Sequence, residues 1–167
     1  MKAKLILLDG AKGAGKSTIS ALLKEKMENT VFIGLDMMRN LITKSKATDD
    51  FNAIAFDAIF SLTDSFLSNN VNVVIDSGIT KERDKKLKEI AIKNSADIHM
   101  FYLSTPKEVL WERVQKRDEE RNKIPDRERF DYTYSMQQDK DFSEFTEIDT
   151  TKFSPNEIAD LILEKIA

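Results

Sequence analysis

The chain has 167 residues, a mass of 19.1 kDa and a formal net charge of −3 at pH 7. This is the length of one ordinary α/β domain, and it allows a hydrophobic core that needs no disulfide or metal. The absence of cysteine excludes thiol catalysis and cysteine-ligated zinc, and the single histidine disfavours His-based metal sites and Ser-His triads. No apolar run approaches the roughly 18 residues of a membrane-spanning helix. We therefore expect one soluble, cytoplasmic domain, residues 1–167, without membrane contact or general attraction to nucleic acid.

Short apolar runs alternate along the chain with stretches of helical periodicity, which is typical of βαβ units on a parallel sheet. The first run, Lys4–Leu8, is continuously apolar after its lysine, as in a central parallel strand covered on both faces. The other predicted strands are Val31–Ile33, Val71–Ile75, Ile98–Leu103 and Thr146–Asp149. At least five helices are predicted between and after them, so the fold class is α/β.

The sequence also marks the faces and ends of several predicted helices. The helix before the third strand carries a long apolar stripe at helical spacing: Phe51, Ile54, Ala55, Ala58, Ile59, Leu62 and Phe66. A second stripe, which favours core packing over nucleobase stacking, is Phe56, Phe60 and Leu67. Capping-box patterns with proline at the first helical position occur at Thr105–Glu108 and Ser154–Glu157. The charge-dense segment Asp118–Arg129 is predicted as a loop or a solvated helix.

A glycine-rich segment after the first strand matches the phosphate-loop pattern G-x-x-x-x-G-K-[ST] in full: Gly10, Ala11, Lys12, Gly13, Ala14, Gly15, Lys16, Ser17 and Thr18. Glycines let successive N–H groups point at one phosphate, and the next helix adds the positive end of its dipole. Lys16 is expected to reach the β- and γ-phosphate oxygens, and the Ser17 hydroxyl to ligate Mg²⁺. The alternative, a glycine-rich turn that only caps a helix, is disfavoured by the strand before it and the amphipathic helix after it. The glycine order does not fit the dinucleotide pattern G-x-G-x-x-G.

Phosphate loops occur in GTPases, motor ATPases and kinases, and other motifs separate these classes. A GTPase carries Asn-Lys-x-Asp after a strand, whereas the nearest segment here, residues 122–126, has one residue too many and lies in the charged region. A motor ATPase usually has a longer chain and an acidic pair after a hydrophobic strand, but here Asp76 is followed by Ser77. Asp76 is placed to hold the Mg²⁺ shell, directly or through water, or else to cap the following turn. These comparisons favour a kinase.

An acid and a base, Asp36 and Arg39, follow the second predicted strand. The carboxyl ends of parallel strands meet at one edge of a sheet, so both residues are expected beside the phosphate loop, where ligands bind. Asp36 can accept a hydrogen bond from an acceptor hydroxyl, and Arg39 can hold an anionic part of the substrate. The alternative is a helix N-cap aspartate with a solvated arginine.

Taken in chain order, these motifs are joined by Lys81-Glu82-Arg83 after Asp76, by Arg113-x-x-x-Arg117, and by a segment ending near Tyr134-Ser135-Met136. With them the chain resembles, over most of its length, the polynucleotide-kinase-type (AAA_33-type) branch of small phosphate-loop kinases, which is related to the nucleoside monophosphate kinases. The resemblance implies a three-layer α/β/α fold with five parallel strands in the order 2-3-1-4-5. It also implies ATP and Mg²⁺ as cofactors and a lid at about residues 117–135.

The resemblance further implies roles for individual side chains. In that family the aspartate matching Asp36 acts on the acceptor hydroxyl, and the arginine matching Arg39 grips a phosphate of the acceptor. The lid arginine matching Arg117 neutralises the transferring phosphoryl group. Arg113 is expected to hold phosphates on the adenine side or to anchor the lid, although Arg113, Arg117 and Arg121 could also form a solvated stripe. The chain departs from the family in its acidic net charge, and we expect residues 1–167 to form the kinase module alone, without the family's phosphatase or ligase domain.

The sequence thus predicts an ATP-dependent kinase that acts on a hydroxyl group, with Lys16, Asp36 and Arg117 as its catalytic residues. The acceptor is a nucleic-acid 5′ end or a small molecule such as a nucleotide, a sugar or an antibiotic, and no obligate protein partner is indicated. One alternative is a non-catalytic, ATP-binding regulatory protein, which the intact Lys16, Ser17, Asp36 and Asp76 argue against. Another is a nucleoside monophosphate kinase proper.

Overall fold

One parallel sheet forms the centre of the computed structural model, which describes residues 2–41, 49–78 and 80–167, without the side chains of residues 49 and 50. Its strands are β1 Lys4–Asp9, β2 Thr30–Ile33, β3 Asn72–Ile75, β4 Asp97–Ser104 and β5 Thr146–Asp149. They lie in the order β2-β3-β1-β4-β5, and every neighbouring pair is parallel. The predicted strands and their order are confirmed, with shifts of one residue at some ends.

Helices cover both faces of this sheet, which gives the predicted three layers. In the described part of the chain they are α1 Lys16–Lys26, α2 Leu35–Asn40, α3 Asp49–Ser68, α4 Lys81–Lys93, α5 Lys107–Glu120, α6 Arg127–Gln138 and α7 Pro155–Ile166. Alternate residues of β1 serve two hydrophobic cores. Ile6 and Leu8 pack with α1, α5, α6 and α7, whereas Leu5 and Leu7 pack with α3 and α4. All four side chains are fully buried, as expected for a strand covered on both faces.

The parallel arrangement brings four chain segments to one edge of the sheet. The phosphate loop follows β1, Gly34 and α2 follow β2, Asp76 follows β3, and Thr150 follows β5. The register supports this meeting, because Leu7 pairs with Ile75 and Ile75 pairs with Ile33. Residues distant in sequence therefore reach one site through sheet geometry.

The face of α3 that packs on the sheet differs from the predicted stripe. Ile54 is 62% exposed and Ala58 is exposed, whereas Phe56 and Phe60 are buried. The side chains buried along α3 are Phe51, Ala55, Phe56, Ile59, Phe60, Thr63 and Leu67. The second apolar stripe thus belongs to the core, because two large phenylalanine rings bury more apolar area than the smaller Ile54 and Ala58.

The two predicted capping boxes differ in outcome. Ser154 caps α7: its hydroxyl accepts a hydrogen bond from the Glu157 N–H, and the Glu157 carboxylate accepts one from the Ser154 N–H at 2.7 Å. The prediction at Thr105 is wrong, because no side chain caps α5. The Thr105 hydroxyl lies 2.6 Å from the hydroxyl of Thr150 and bonds across the sheet edge instead.

The charge-dense segment forms the end of α5, a connection at residues 121–126, and the start of α6. The middle of the segment is thus the predicted loop, and most of its residues are exposed. The next residue on α6, Phe130, is fully buried against Trp111 of α5, with ring centroids 5.3 Å apart. The Asp126 carboxylate caps α6 by accepting a hydrogen bond from the Arg129 N–H at 2.9 Å. None of the helices in the described residues combines the length and hydropathy that crossing a bilayer requires.

Candidate active site

A cleft of about 1210 Å³ opens at the carboxyl edge of the sheet. Its lining contains every side chain predicted from the sequence for the site: residues 10–18, Asp36, Arg39, Asp76, Arg113 and Arg117. Arg121 also lines the cleft, although it lies just after the end of α5. The structure therefore brings the predicted residues together in one cleft.

The phosphate loop curls tightly between β1 and α1. Gly13 and Gly15 both have φ of +96°, a conformation that residues with a Cβ rarely adopt. Gly13 also lies against α5 so closely that an added Cβ would be 2.8 Å from the carbonyl oxygen of Leu110. The loop is closed by hydrogen bonds at 3.0 Å from Ala14 N–H to Ala11 C=O and from Ile19 N–H to Gly15 C=O. Helix α1 begins immediately afterwards, so its N-terminus faces the cleft and favours an anion there.

Lys16 is folded back onto this loop. Its ammonium donates hydrogen bonds to the carbonyl oxygens of Gly10 and Ala11, the latter at 3.2 Å. Burial lowers the pKa of the Lys16 ammonium, and nearby Arg117 lowers it further. The neighbouring carboxylates that act in the opposite direction are Asp9, Asp76 and Asp36. An anion bound beside Lys16 would stabilise its charged form, which is what a nucleotide phosphate supplies.

Asp76 lies half-buried behind the loop and faces Gly34. Burial raises the pKa of its carboxyl, whereas a hydrogen bond from Ser20 and the charge of Lys16 lower it in part. An added Cβ at Gly34 would be only 2.4 Å from Asp76 Oδ1, so the position of this carboxylate depends on the absence of a side chain there.

The donor set around Asp76 suits Mg²⁺ of the kind that enters with a nucleotide. Within residues 2–41, 49–78 and 80–167, no group of three or more His, Asp or Glu side chains could hold a metal ion. Mg²⁺ bound with nucleotides typically uses one or two protein oxygens, together with phosphate oxygens and water. The Ser17 hydroxyl and the Asp76 carboxylate both line the cleft and fit that pattern.

Asp36 and Arg39 on α2 also line the cleft and form an ion pair of 3.0 Å. Arg39 also donates a hydrogen bond of 2.7 Å to the side chain of Asn52 on α3, which holds the guanidinium in place. The Asp36 side chain is 89% exposed, so it is open to an incoming molecule. The start of α2 is fixed by a hydrogen bond of 2.8 Å from Leu35 N–H to the Ser77 hydroxyl.

The two arginines of α5 lie one helical turn apart and have different partners. Arg113 donates hydrogen bonds to the Thr150 hydroxyl at 2.9 Å and to its carbonyl oxygen at 3.2 Å, which ties α5 to the β5–α7 loop. Arg117 pairs instead with Asp118 at 2.9 Å. Phe153 also lines the cleft and is 41% exposed.

With this geometry in place, comparison with known proteins identifies the family. The sequence model of the Zeta toxin family matches residues 1–160. The chain belongs to the Zeta toxin family. No curated protein matches the sequence.

Solved structures show the same P-loop kinase fold as this Zeta toxin family member. One, from the Pnkp1/Rnl/Hen1 RNA repair complex, is 23% identical with a TM-score of 0.67; the match covers 92% of this chain but only 47% of that one. A gluconokinase from Sinorhizobium meliloti 1021 is 22% identical, with a TM-score of 0.67 and coverage of 98% and 93%. The Deinococcus radiodurans tunicamycin resistance protein is 17% identical, with a TM-score of 0.67 and coverage of 99% and 96%. The chain thus spans about half the length of the RNA repair chain.

Sequence reasoning missed a buried charge network in this Zeta toxin family member. The ammonium of Lys140, just after α6, lies 2.6 Å from the carboxylates of both Asp9 and Asp84. Asp9 Oδ1 also accepts hydrogen bonds from the Gly10 N–H at 2.6 Å and from the Gln137 side chain at 3.0 Å. A charged residue closing an otherwise apolar strand could have indicated Asp9, but nothing in the sequence around Lys140 indicates its partners.

The network should contribute strongly to stability. Replacing Lys140 with methionine removes the cation that two buried carboxylates share. Breaking a buried ion pair in this way costs about 3–5 kcal/mol. We expect the Lys140→Met variant to lose about that much free energy of unfolding, measured by urea denaturation.

Lys88→Met is the matched control. Lys88 pairs with Glu144 and so joins the same two regions, α4 and the segment after α6, but the Glu144 side chain is 69% exposed. Such a pair contributes about 0–1 kcal/mol. Equal losses in the two variants would contradict the role assigned to burial.

Proposed function

We propose that this protein is a kinase that transfers the γ-phosphoryl group of ATP to a hydroxyl group of an acceptor. The observation that carries the proposal is one continuous cleft that joins the phosphate loop to the Asp36–Arg39 pair. A nucleotide-binding protein without transfer needs only the first of these two parts. Membership of the Zeta toxin family, with its P-loop kinase fold, supports the same conclusion.

The residues that line the cleft support one direction for the nucleotide. Its phosphates lie at residues 10–18, where main-chain N–H groups and Lys16 face them, and its nucleoside end lies toward Arg113 and Phe153. Ser17 and Asp76 hold Mg²⁺, which when bound screens charge on the phosphate oxygens. This orientation leaves the γ-phosphoryl group pointing toward α2.

The acceptor lies at the α2 end. Asp36 orients its hydroxyl and takes up its proton, while Arg39 holds an anionic group of the acceptor. Phosphoryl transfer passes through a loose transition state in which positioning and charge neutralisation dominate, so Arg117 acts on the transferring group. An arginine in that role contributes about 10³–10⁵ in rate.

An acceptor panel with labelled ATP tests this function. The panel contains 5′-hydroxyl RNA, nucleoside monophosphates, sugars including gluconate, and tunicamycin, because the solved relatives are named for RNA repair, a gluconokinase and tunicamycin resistance. We expect label on one class of acceptor and none with the Lys16→Ala variant. Tight ATP binding without transfer to any acceptor would favour the non-catalytic alternative.

Asp36→Asn separates acceptor activation from nucleotide binding. Asparagine retains an oxygen that can accept the hydrogen bond from Arg39, but it cannot take up a proton. We expect kcat to fall about 10²- to 10⁴-fold, which is the usual contribution of base catalysis. The Kd of ATP should stay unchanged. Calorimetry and steady-state kinetics measure the two quantities.

The control for this variant is Asp57→Asn, which changes a 75% exposed carboxylate of α3 that does not line the cleft. It should leave both kcat and Kd unchanged. If Asp36→Asn behaved in the same way, the acceptor would bind elsewhere.

Gly34→Ala tests the metal site through its geometry. The added methyl group must displace the Asp76 carboxylate, whereas φ at Gly34 is −130°, which any residue adopts. We expect the Mg²⁺ concentration for half-maximal activity to rise about 10- to 100-fold, as when the support of a metal ligand is lost.

Gly78→Ala is its control in the same cleft, because the added Cβ would meet Asp9 Oδ1 only at 4.0 Å, an ordinary contact. Its Mg²⁺ dependence should match that of the unmodified protein. An unchanged Mg²⁺ dependence in Gly34→Ala would remove Asp76 from the metal site.

A further inference from the structure

A carboxylate occupies a core-facing position of α5. The buried residues of this helix are Leu110, Val114 and Asp118, which follow one another at intervals of four and form one stripe. Asp118 is only 8% exposed. Burying a charge is energetically costly unless the charge is paired, so the partners of Asp118 must offset the cost of burying its carboxylate.

Two cations, both in the cleft lining, provide the compensation. Asp118 Oδ1 accepts hydrogen bonds from Arg117 Nη2 at 2.9 Å and from Arg117 Nε at 3.2 Å. Asp118 Oδ2 lies 3.7 Å from the ammonium of Lys12 in the phosphate loop. Burial raises the pKa of the Asp118 carboxyl, but the hydrogen bonds and charges of Arg117 and Lys12 outweigh it and lower the pKa overall. Asp118 is therefore an anion at neutral pH.

The contact with Arg117 is not a by-product of helix geometry. Adjacent residues of a helix point about 100° apart and do not ordinarily face each other. Arg117 bends back so that two of its N–H groups meet a single oxygen, which fixes the plane of the guanidinium. Arg117 and Lys16 line the same cleft as the phosphate loop. The charge of Arg117 also helps to lower the pKa of the Lys16 ammonium.

We propose that Asp118 is the positioning residue for Arg117: it holds the guanidinium over the phosphate loop before the nucleotide arrives, and Lys12 keeps Asp118 itself in register with that loop. The proposal rests on the proposed function, because it assigns Arg117 to the transferring phosphoryl group. An arginine side chain loses rotamer entropy when it is ordered, and holding it in advance removes that cost from the transition state.

Asp118→Asn keeps the shape of the side chain and removes its charge. The main-chain carbonyl of Asp118, which accepts hydrogen bonds from the N–H groups of Arg121 and Lys123 at the end of α5, is unaffected. We expect kcat to fall about 10²-fold, the size of effect produced by a misplacement of about 1 Å, with little change in the KM of ATP.

A double-mutant cycle distinguishes positioning from structural support. If Asp118 acts through Arg117, then Asp118→Asn costs nothing further in an Arg117→Ala background, and the double variant has the kcat of Arg117→Ala alone. A purely structural role for Asp118 predicts additive losses instead. Additive losses, an unchanged kcat in Asp118→Asn, or an unchanged kcat in Arg117→Ala would each overturn the proposal.

Two further variants complete the design. Glu119→Gln changes an exposed carboxylate on the next residue and should leave kcat unaltered. Asp118→Glu keeps the charge and moves it by one methylene; we expect it to fold like the unmodified protein, retain ATP binding and lose kcat, so it serves if Asp118→Asn does not fold. Full kcat in Asp118→Glu would contradict fixed positioning. Absence of transfer by the unmodified protein contradicts the proposed function instead, so the two failures are distinguishable.

Discussion

The close approach of Gly13 to α5 is the contact on which the geometry of the site depends. Because an added Cβ would come within 2.8 Å of the Leu110 carbonyl oxygen, the phosphate loop rests on the backbone of α5 itself. A contact between two backbone segments allows little relative movement, because protein interiors are close-packed. Arg113 and Arg117 follow Leu110 on the same helix, so this contact also fixes where their helix lies relative to the phosphate loop.

Charge in the cleft is arranged locally, and the net charge of −3 does not describe it. Arg39 is held by Asp36 and Asn52, Arg113 by Thr150, Arg117 by Asp118, and Lys140 by Asp9 and Asp84. Each cation therefore has its direction fixed before any ligand binds. Such preorganised groups need not reorient during the reaction, and this is the main source of electrostatic stabilisation in enzymes. An acidic protein can in this way present a cationic site to a polyphosphate.

The sequence was sufficient for the parts that depend on local pattern. The uninterrupted apolar run in β1 predicted a strand covered on both faces, and the glycine spacing predicted the loop that follows it. The faces of α3 were predicted less well, because both of its apolar stripes have helical spacing and only the tertiary packing selects Phe56 and Phe60 over Ile54. Thr105 matched a capping box but bonds to Thr150, which is 45 residues away in the chain. Contacts such as Lys140 with Asp9 join residues with no shared pattern, so they could not be predicted before the fold was known.

Under the proposed function, water must be excluded from the part of the cleft around Asp36 during transfer. Asp36 is 89% exposed and Met37 is 43% exposed, so water reaches this position as readily as an acceptor hydroxyl does. An acceptor kinase wastes ATP unless water is excluded while the phosphoryl group is transferred. Under the proposed function, an acceptor that binds over Asp36 displaces this water itself, so the contacts by which α2 recognises the acceptor are also those that limit hydrolysis of ATP.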